Sequence, residues 1–212
     1  MITKKNFDLS QYNSYRIRSR CAVAHFPESE KDIIDLYNKR QDYVLIGSGH
    51  NIIFSKLYYD QEFVIFNGNF ENICLEEGNC ILAESGAFMT SISEFALEHA
   101  LSGLEIFYDI PSSLGGAVVM NAGASGEEIK DILVKVRFLS LEDMTVKEIF
   151  KEEIDFEYRN SFFQRHSNNI ILSAKLALTP GKKEGIKEKM NTIREKRWAK
   201  QPRDLPNAGS VF

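Results

Sequence analysis

The sequence predicts an α+β fold made of two units that share a core. A helix, a strand and a glycine-rich loop follow one another in the first 70 residues, an order that predicts a small mixed sheet covered by helices. Short apolar runs, some of them alternating, recur through residues 71–180 and indicate a second sheet rich in antiparallel pairs. No repeat or linker separates the units, so we divide the chain into residues 1–70, 71–180 and 181–212.

The amino-acid composition narrows the classes of function that the protein can have. The chain has 212 residues, 43% of them hydrophobic and 26% charged, with a net charge of -4, and this balance favours neither nucleic acid nor a membrane as partner. Cys21, Cys74 and Cys80 form no C-x-x-C pair and have no histidine at metal-ligand spacing, so we expect reduced thiols and no metal. With no signal-like or membrane-spanning run, we expect a cytoplasmic protein.

The first unit contains a predicted helix and two predicted strands. Residues 27–39 predict a helix because Ser29 can cap it, acidic residues crowd its first turn, and Ile33, Leu36 and Tyr37 recur on one face. An apolar strand over residues 43–46 stops at a glycine-rich loop, residues 47–51, and residues 63–66 predict another strand.

The second unit begins with a predicted hairpin. Its strands are residues 72–76 and 80–84, joined by a turn at residues 77–79. From Met89 onward apolar residues recur at helical spacing until Ser102 and Gly103, which we expect to end that helix. Residues 134–138 alternate, and residues 145–150 and 170–178 predict two partner strands.

The C-terminal segment is basic. Residues 182–203 hold nine Lys or Arg against three Glu, a local balance of +6, and predict a helix with Ile186, Met190, Ile193 and Arg197 on one face, stopped by Pro202. We interpret its charge as a solvated face in preference to an attractor for an anionic nucleotide. Residues 205–212 form a small-residue turn that leads into an apolar run, as in the middle of a domain.

The stretch of residues 109–126 is the most unusual part of the chain, because small residues replace the bulky ones that a core needs. Pro111 fixes its own φ, and the glycines allow close approach to the backbone. Successive bare N–H groups of this kind make an anion-binding concavity. The alternative is a tight turn between buried strands, with residues 117–120 as a core strand. Together with residues 47–51, the stretch fits a long cofactor that meets both units.

Several motifs then carry a family resemblance. They are residues 15–17, 47–51, 101–105, 110–111, 115–123, 156–161, Arg197 with Gln201 and Pro202, and residues 208–212. In this order they resemble the UDP-N-acetylenolpyruvoylglucosamine reductases, the MurB family. The resemblance implies an α+β, two-subdomain FAD-binding domain of the MurB and vanillyl-alcohol-oxidase type, with the flavin between residues 1–70 and 71–180. Residues 181–212 would then begin a substrate domain.

The resemblance also implies a reaction. In that family NADPH reduces FAD, and the flavin delivers hydride to the enolpyruvyl ether of a UDP-sugar, so NADPH and this UDP-sugar are the expected partners. Arg159 matches the arginine that meets the enolate, and Ser210 matches the serine that donates the proton. By itself Arg159 would be read as an ion pair with Glu157 or Asp155, and Ser210 as a turn residue. The family's third catalytic group, a glutamate, belongs to a C-terminal domain that this sequence does not contain.

The same resemblance assigns cofactor contacts to both glycine-rich loops. The expected FAD-binding residues are Gly47, Ser48, Gly49, His50, Asn51, Pro111, Ser112, Ser113, Gly115, Gly116, Ala117, Asn121, Ala122 and Gly123.

Five positions depart from the family pattern. Asp109 and Ser112 replace glycines around the Ile-Pro motif, which would place a carboxylate near a pyrophosphate. Arg18 and Ser19 replace a pair of glycines at the cofactor's edge. His50 stands where a serine is usual, which raises the hypothesis of a covalent flavin. These departures leave two alternatives open: a flavin oxidoreductase for another sugar nucleotide, and a non-catalytic FAD-binding module.

Overall fold

A computed structural model describes residues 1–39, 42–66, 69–201 and 205–206. In these ranges two main sheets, one of four strands and one of five, are accompanied by five α-helices. The predicted α+β class is confirmed.

The first sheet is mixed, as predicted. Its strands and the helix between them are β1 (Ile2–Asp8), β2 (Arg20–Phe26), α1 (Glu30–Tyr37), β3 (Tyr43–Ile46) and β4 (Tyr58–Ile65). The strand order is β1-β2-β4-β3, with β1 antiparallel to β2, and β4 parallel to both β2 and β3. Strands β1 and β2 were not predicted, and the predicted last strand begins at residue 63, five residues after the start of β4.

Helix α1 joins the two units through one core. The Ser29 side chain caps it, accepting a hydrogen bond from the Asp32 amide at 3.2 Å, as predicted. Its three predicted apolar residues are buried, and they belong to a cluster that takes members from both sheets. That cluster contains Ile33, Leu36, Tyr37, Val64, Phe66, Phe70, Leu139, Ile170 and Leu172. The guanidinium of Arg137 adds a two-point hydrogen bond to the Glu30 carboxylate, at 2.9 and 3.0 Å.

The second unit is an antiparallel sheet with helices packed on it. Its elements are β5 (Ile73–Glu76), β6 (Cys80–Glu84), α2 (Met89–Glu98), β7 (Leu101–Ser102), α3 (Leu114–Val119), β8 (Gly123–Ala124), β9 (Glu127–Glu128), β10 (Leu133–Ser140), β11 (Thr145–Phe150), α4 (Phe162–Arg165), β12 (Asn169–Ala177), β13 (Thr179–Pro180) and α5 (Lys183–Trp198). The main sheet has the order β11-β10-β12-β6-β5, and every pairing in it is antiparallel. The predicted hairpin and the three later strands are confirmed.

Two predictions in this unit were wrong. Helix α2 ends at Glu98, because Ala100 takes a left-handed conformation with φ 54° and Leu101–Ser102 pairs with β13, so Ser102 and Gly103 do not end it. The alternative of a core strand at residues 117–120 fails because Leu114–Val119 is a helix, capped by Ser113.

Helix α5 buries the apolar side chains of the face that the sequence predicted. Ile186 and Met190 are buried and Ile193 is partly buried against the larger core. Pro202, predicted to stop this helix, and residues 207–212 lie outside the described residues. Within the described ranges, no helix combines the length and apolar content needed to cross a membrane, and no three His, Cys, Asp or Glu side chains converge as a metal site would require.

Candidate functional site

The two glycine-rich loops are in direct contact. The amide of Ser113 donates a hydrogen bond to the Ser48 hydroxyl, with 3.1 Å between N and Oγ. Both serines are buried, and a β-carbon built on Gly47 would lie 2.4 Å from the Ser113 Oγ. A side chain at residue 47 would therefore force the Ser113 hydroxyl to move. The structure brings residues 47–51 and 111–117 together, as the sequence analysis expected of two loops serving one ligand.

The first loop has free backbone donors. Gly49 takes the left-handed conformation, φ 74°, and a β-carbon there would lie 1.9 Å from the Tyr12 carbonyl oxygen, so the loop lies flat on the segment before β2. Within residues 1–39, 42–66 and 69–201, the amides of residues 48–51 donate no hydrogen bond. Unsatisfied N–H groups in a turn suit an anion such as a phosphate.

His50 adds an unsatisfied ring nitrogen to the first loop. Its Nδ1 atom is buried and has no hydrogen-bond partner among the described residues. Burial, assisted by the charge of Arg16, lowers the pKa of His50 and so favours the neutral ring. An unsatisfied buried nitrogen requires a partner. The residues of this loop therefore fit a bound group that carries hydrogen-bonding atoms.

The second loop differs from the expectation of bare N–H groups. Gly116 donates to the Ser113 hydroxyl at 3.4 Å, while Leu114 and Gly115 donate to the carbonyls of Ala87 and Ser85 at 2.8 and 2.9 Å. These amides are already hydrogen-bonded within the protein, and those of Leu114 and Gly115 hold helix α3 against the chain after β6. The small residues allow this close approach, since a β-carbon on Gly115 would lie 3.0 Å from the Ser85 side chain. At residues 114–116 the prediction of an anion-binding concavity was therefore wrong, because these residues form the tightly packed start of helix α3.

Asn121 is a structural residue of the second loop. It is fully buried, with φ 43°, and its amide nitrogen donates to the Glu128 carboxylate at 3.0 Å and to the Glu157 carbonyl at 2.9 Å. The expectation of a flavin-facing amide at this position is corrected, since both donors are already used inside the protein. Ala122 and Gly123 follow it, and Gly123 pairs with Glu128 in a two-stranded ribbon.

Arg159 reaches the second loop. Its guanidinium donates to the carbonyl oxygens of Asn121 and Gly123, at 3.2 and 2.7 Å, and its side chain is 38% exposed. The alternative of an ion pair with Glu157 or Asp155 was wrong, because Arg165 pairs with those carboxylates, at 3.9 and 2.7 Å. Arg159 thus lies partly exposed beside residues 121–123, where its guanidinium is also 3.8 Å from the Glu128 carboxylate.

Asp109 faces helix α5. The Trp198 indole Nε1 donates to one carboxylate oxygen at 3.1 Å, and the Arg197 Nε lies 3.6 Å from the other. The carboxylate is therefore neutralised by the basic helix, which removes the repulsion that a free carboxylate would exert on a phosphate. Ser210, the expected proton donor, lies outside the described residues.

Sequence reasoning missed the part played by Glu105. Its side chain is only 2% exposed, accepts hydrogen bonds from the Ser102 hydroxyl at 2.5 Å and the Gly103 amide at 2.9 Å, and lies 3.7 Å from the Lys189 ammonium. Burial acts to raise the pKa of Glu105, but these hydrogen bonds and the lysine outweigh it, so the pKa is lowered. The Ser-x-x-Glu spacing, typical of a capping box, was the available signal.

Comparison with known proteins agrees with this geometry. A family model described as an FAD binding domain matches residues 22–149. The chain is 37% identical to the UDP-N-acetylenolpyruvoylglucosamine reductase of Francisella tularensis, covering 96% of this chain and 72% of that protein. It is also 37% identical to the reductase of the same name from Geobacillus kaustophilus, covering 96% of this chain and 67% of the relative.

Solved structures show the same fold. The UDP-N-acetylenolpyruvylglucosamine reductase (MurB) of Thermus caldophilus superposes with a TM-score of 0.82 at 24% identity, over 100% of this chain and 73% of that one. A solvent-stable cholesterol oxidase superposes with a TM-score of 0.65 at 11% identity, over 84% of this chain and 38% of that one. The predicted fold type is confirmed, and the matches in sequence establish that the chain belongs to the UDP-N-acetylenolpyruvoylglucosamine reductase family, whose FAD-binding domain it contains.

Proposed function

We propose that this chain holds FAD and, with NADPH as the reductant, reduces the enolpyruvyl ether of UDP-N-acetylglucosamine to UDP-N-acetylmuramate. The reaction would be a step of peptidoglycan precursor synthesis in the cytoplasm. The observation that carries the proposal is the hydrogen bond between Ser48 and Ser113, which unites two loops from different sheets into one surface. The family relationship supplies the substrate.

The first loop is proposed to hold the cofactor's phosphates. Its amides at residues 48–51 donate no hydrogen bond within the described ranges, and Gly49 takes the left-handed conformation that a tight turn requires. FAD, when bound, supplies a carrier that accepts hydride from one substrate and gives it to another. The second loop supports this loop from behind, through Ser113 and the helix that Ser113 caps.

Two residues are proposed to act on the substrate. Arg159 would stabilise the negative charge that develops next to the substrate carboxylate, because a guanidinium held against two carbonyls needs little reorganisation. Ser210 would donate the proton that completes the reduction.

The division of the chain follows from the same proposal. Residues 1–70 and 71–180 would be the two FAD-binding subdomains, and residues 181–212 the basic helix and the beginning of a substrate domain. The side chain of His50 would contact the cofactor through its buried Nδ1 atom. Denaturing the yellow protein decides whether that contact is covalent: flavin that stays with the polypeptide would establish a bond, and complete release would exclude one.

Turnover tests the proposal. The purified chain should be yellow, and it should oxidise NADPH only when the enolpyruvyl UDP-sugar is added. Turnover with a different UDP-sugar alone would support the related oxidoreductase, and tight FAD without turnover would support a binding module. A colourless protein that takes up no added FAD would overturn the proposal and both alternatives.

A further inference from the structure

A cavity lies at the start of β2 and β4, next to the segment on which the first glycine-rich loop rests, since a β-carbon on Gly49 would lie 1.9 Å from the Tyr12 carbonyl oxygen. It has a volume of about 620 Å³, within the usual range for a small-molecule site. It is located at the end of the first sheet where β2 and β4 begin, since Arg20 pairs with both Asp8 and Tyr58 there. The first glycine-rich loop starts at the opposite end, after Ile46, which pairs with the last residue of β4, Ile65.

The charge of this cavity is strongly positive. Arg16, Arg18 and Arg20 line it together with one carboxylate, Asp8, which gives three positive charges against one negative charge, a formal balance of +2. Arg20 is already occupied, because its guanidinium donates to the side chain and the carbonyl of Asn6 and lies 3.9 Å from Asp8. Within the described ranges, Arg16 and Arg18 form no ion pair.

The walls of the cavity are fixed by hydrogen bonds. The buried side chain of Asn13 donates to the carbonyls of Leu9, Ser10 and Ile17 and accepts from the Ile17 amide, and Arg16 takes the left-handed conformation, φ 54°. On the other side the buried Ser19 hydroxyl donates to the Lys56 carbonyl at 2.9 Å. The backbone that presents Arg16 and Arg18 is therefore already ordered, and the ordering that ligand binding requires is confined to their two exposed side chains.

Arg18 and Ser19 are also the residues at which this chain departs from the family resemblance, where a pair of glycines is usual. The proposed reduction gives them no task. Arg18 places a guanidinium where the family pattern has no side chain, and Arg18 is one of the residues that line the cavity.

We propose that this cavity is a binding site for a phosphate-bearing small molecule, with Arg16 and Arg18 as the principal ligands. Guanidinium groups match phosphate oxygens with two parallel N–H bonds, and the double charge of a phosphate suits a pair of arginines that form no ion pair in the described ranges. Ser10 and Gln11, which also line the cavity, offer additional polar contacts. The site is distinct from the proposed cofactor contacts, which do not include Arg16 or Arg18, and titration of the FAD-loaded protein tests that distinction.

Calorimetry on the FAD-loaded protein tests the proposal, with inorganic phosphate, pyrophosphate and ADP titrated separately. We expect saturable binding of at least one of them that weakens as salt is added. Arg18→Gln and Arg16→Gln should each lower the association constant at least about tenfold, as expected for the loss of a charge-assisted hydrogen bond. Lys183→Gln, which removes one exposed charge at the start of α5, should leave it unchanged.

Side-chain Nε resonances of the arginines in the unmodified protein provide a second measurement that needs no variant. Those of Arg16 and Arg18 should shift on titration. Absence of saturable binding, equal weakening by Lys183→Gln, or binding that disappears once FAD is loaded would each overturn the proposal. The last result would assign the anion to the cofactor loops. Flavin absorbance reports the proposed function separately, so either idea can fail alone.

Discussion

The hydroxyl of Ser48 lies 3.1 Å from the amide nitrogen of Ser113, and this single hydrogen bond connects two loops that are 65 positions apart in the sequence. Both groups are buried, so the bond cannot be replaced by water without rearrangement. Its removal provides the first prediction.

Ser48→Ala should destabilise the fold by about 1–3 kcal/mol, because it leaves the buried amide of Ser113 without an acceptor. The affinity for FAD should fall as well, since the loops lose their alignment. Urea unfolding and a flavin titration measure the two effects. Ser167→Ala, at an exposed serine between α4 and β12, is the control and should change neither. Equal effects of the two substitutions would contradict the role given to Ser48.

Comparison of Gly49 with Gly78 separates the cost of backbone strain from the cost of a steric clash. Both take nearly the same conformation, φ 74° and 75°, but a β-carbon on Gly49 would meet the Tyr12 carbonyl at 1.9 Å, whereas one on Gly78 meets nothing within 4 Å. Gly78→Ala should cost about 1 kcal/mol of unfolding free energy, the price of the left-handed conformation alone. Gly49→Ala should cost clearly more, about 3 kcal/mol or above, because the backbone must move. Similar losses for both variants would contradict this reading.

Glu105 should make stability depend on pH. Its pKa in the folded protein is lowered from an ordinary value of 4.5, so its stabilising contribution is fully present above 4.5 and is lost as the pH falls through the lowered value. Near neutral pH, Glu105→Gln should therefore lower the unfolding free energy by about 1–3 kcal/mol. The difference from the unmodified protein should shrink under acid conditions. Glu94→Gln, at an exposed glutamate of α2, is the matched control. A difference that stays constant with pH would contradict the prediction.

Trp198 is the only tryptophan of the chain, so its fluorescence reports directly on its contact with Asp109. Asp109→Ala removes both the indole hydrogen bond and the ion pair with Arg197, and we expect the emission to move to longer wavelength as the end of α5 becomes more hydrated. Asp60→Ala, at an exposed aspartate of β4, should leave the spectrum unchanged. An unchanged spectrum in Asp109→Ala would show that other contacts hold the indole.

Arg159 should matter for turnover more than for binding. Arg159→Lys keeps a positive charge but loses the two-point contact with the carbonyls of Asn121 and Gly123, so kcat should fall by about 10²-fold or more with a smaller change in KM. Arg165→Lys, in the ion pairs with Asp155 and Glu157, is the control and should retain activity. Equal losses in both would indicate a general disturbance of this segment.

Local patterns in the sequence predicted much of the fold. Helix α1, the hairpin β5–β6 and the strands β10 to β12 follow from capping, turn and apolar signals that act over a few residues. Strand β1 was missed because its residues are mostly exposed and include Lys4 and Lys5, so it lacks an apolar face. Helix α3 was missed because Gly115 and Gly116 disfavour a helix in isolation, and packing against Ser85 overrides that preference.

The site was predictable only in part. Glycine patterns indicated both loops, but the contacts that decide their roles are between distant residues. The sequence gives no local sign that Asn121 turns inward to Glu128, that Asp109 faces Trp198, or that Ser48 meets Ser113. The Ser48–Ser113 and Asp109–Trp198 contacts depend on tertiary packing, and the Asn121–Glu128 contact depends on the short ribbon formed by β8 and β9.

Helix α1 gives its apolar face to both sheets at once, and this limits how the chain can be divided. A fragment cut after residue 70 would keep the helix but expose the side that normally covers Leu139, Ile170 and Leu172, and the remaining fragment would expose those three residues. We therefore expect neither piece to be a stable stand-alone domain. The two units separate surfaces for ligand recognition, but their shared core should make them unfold together.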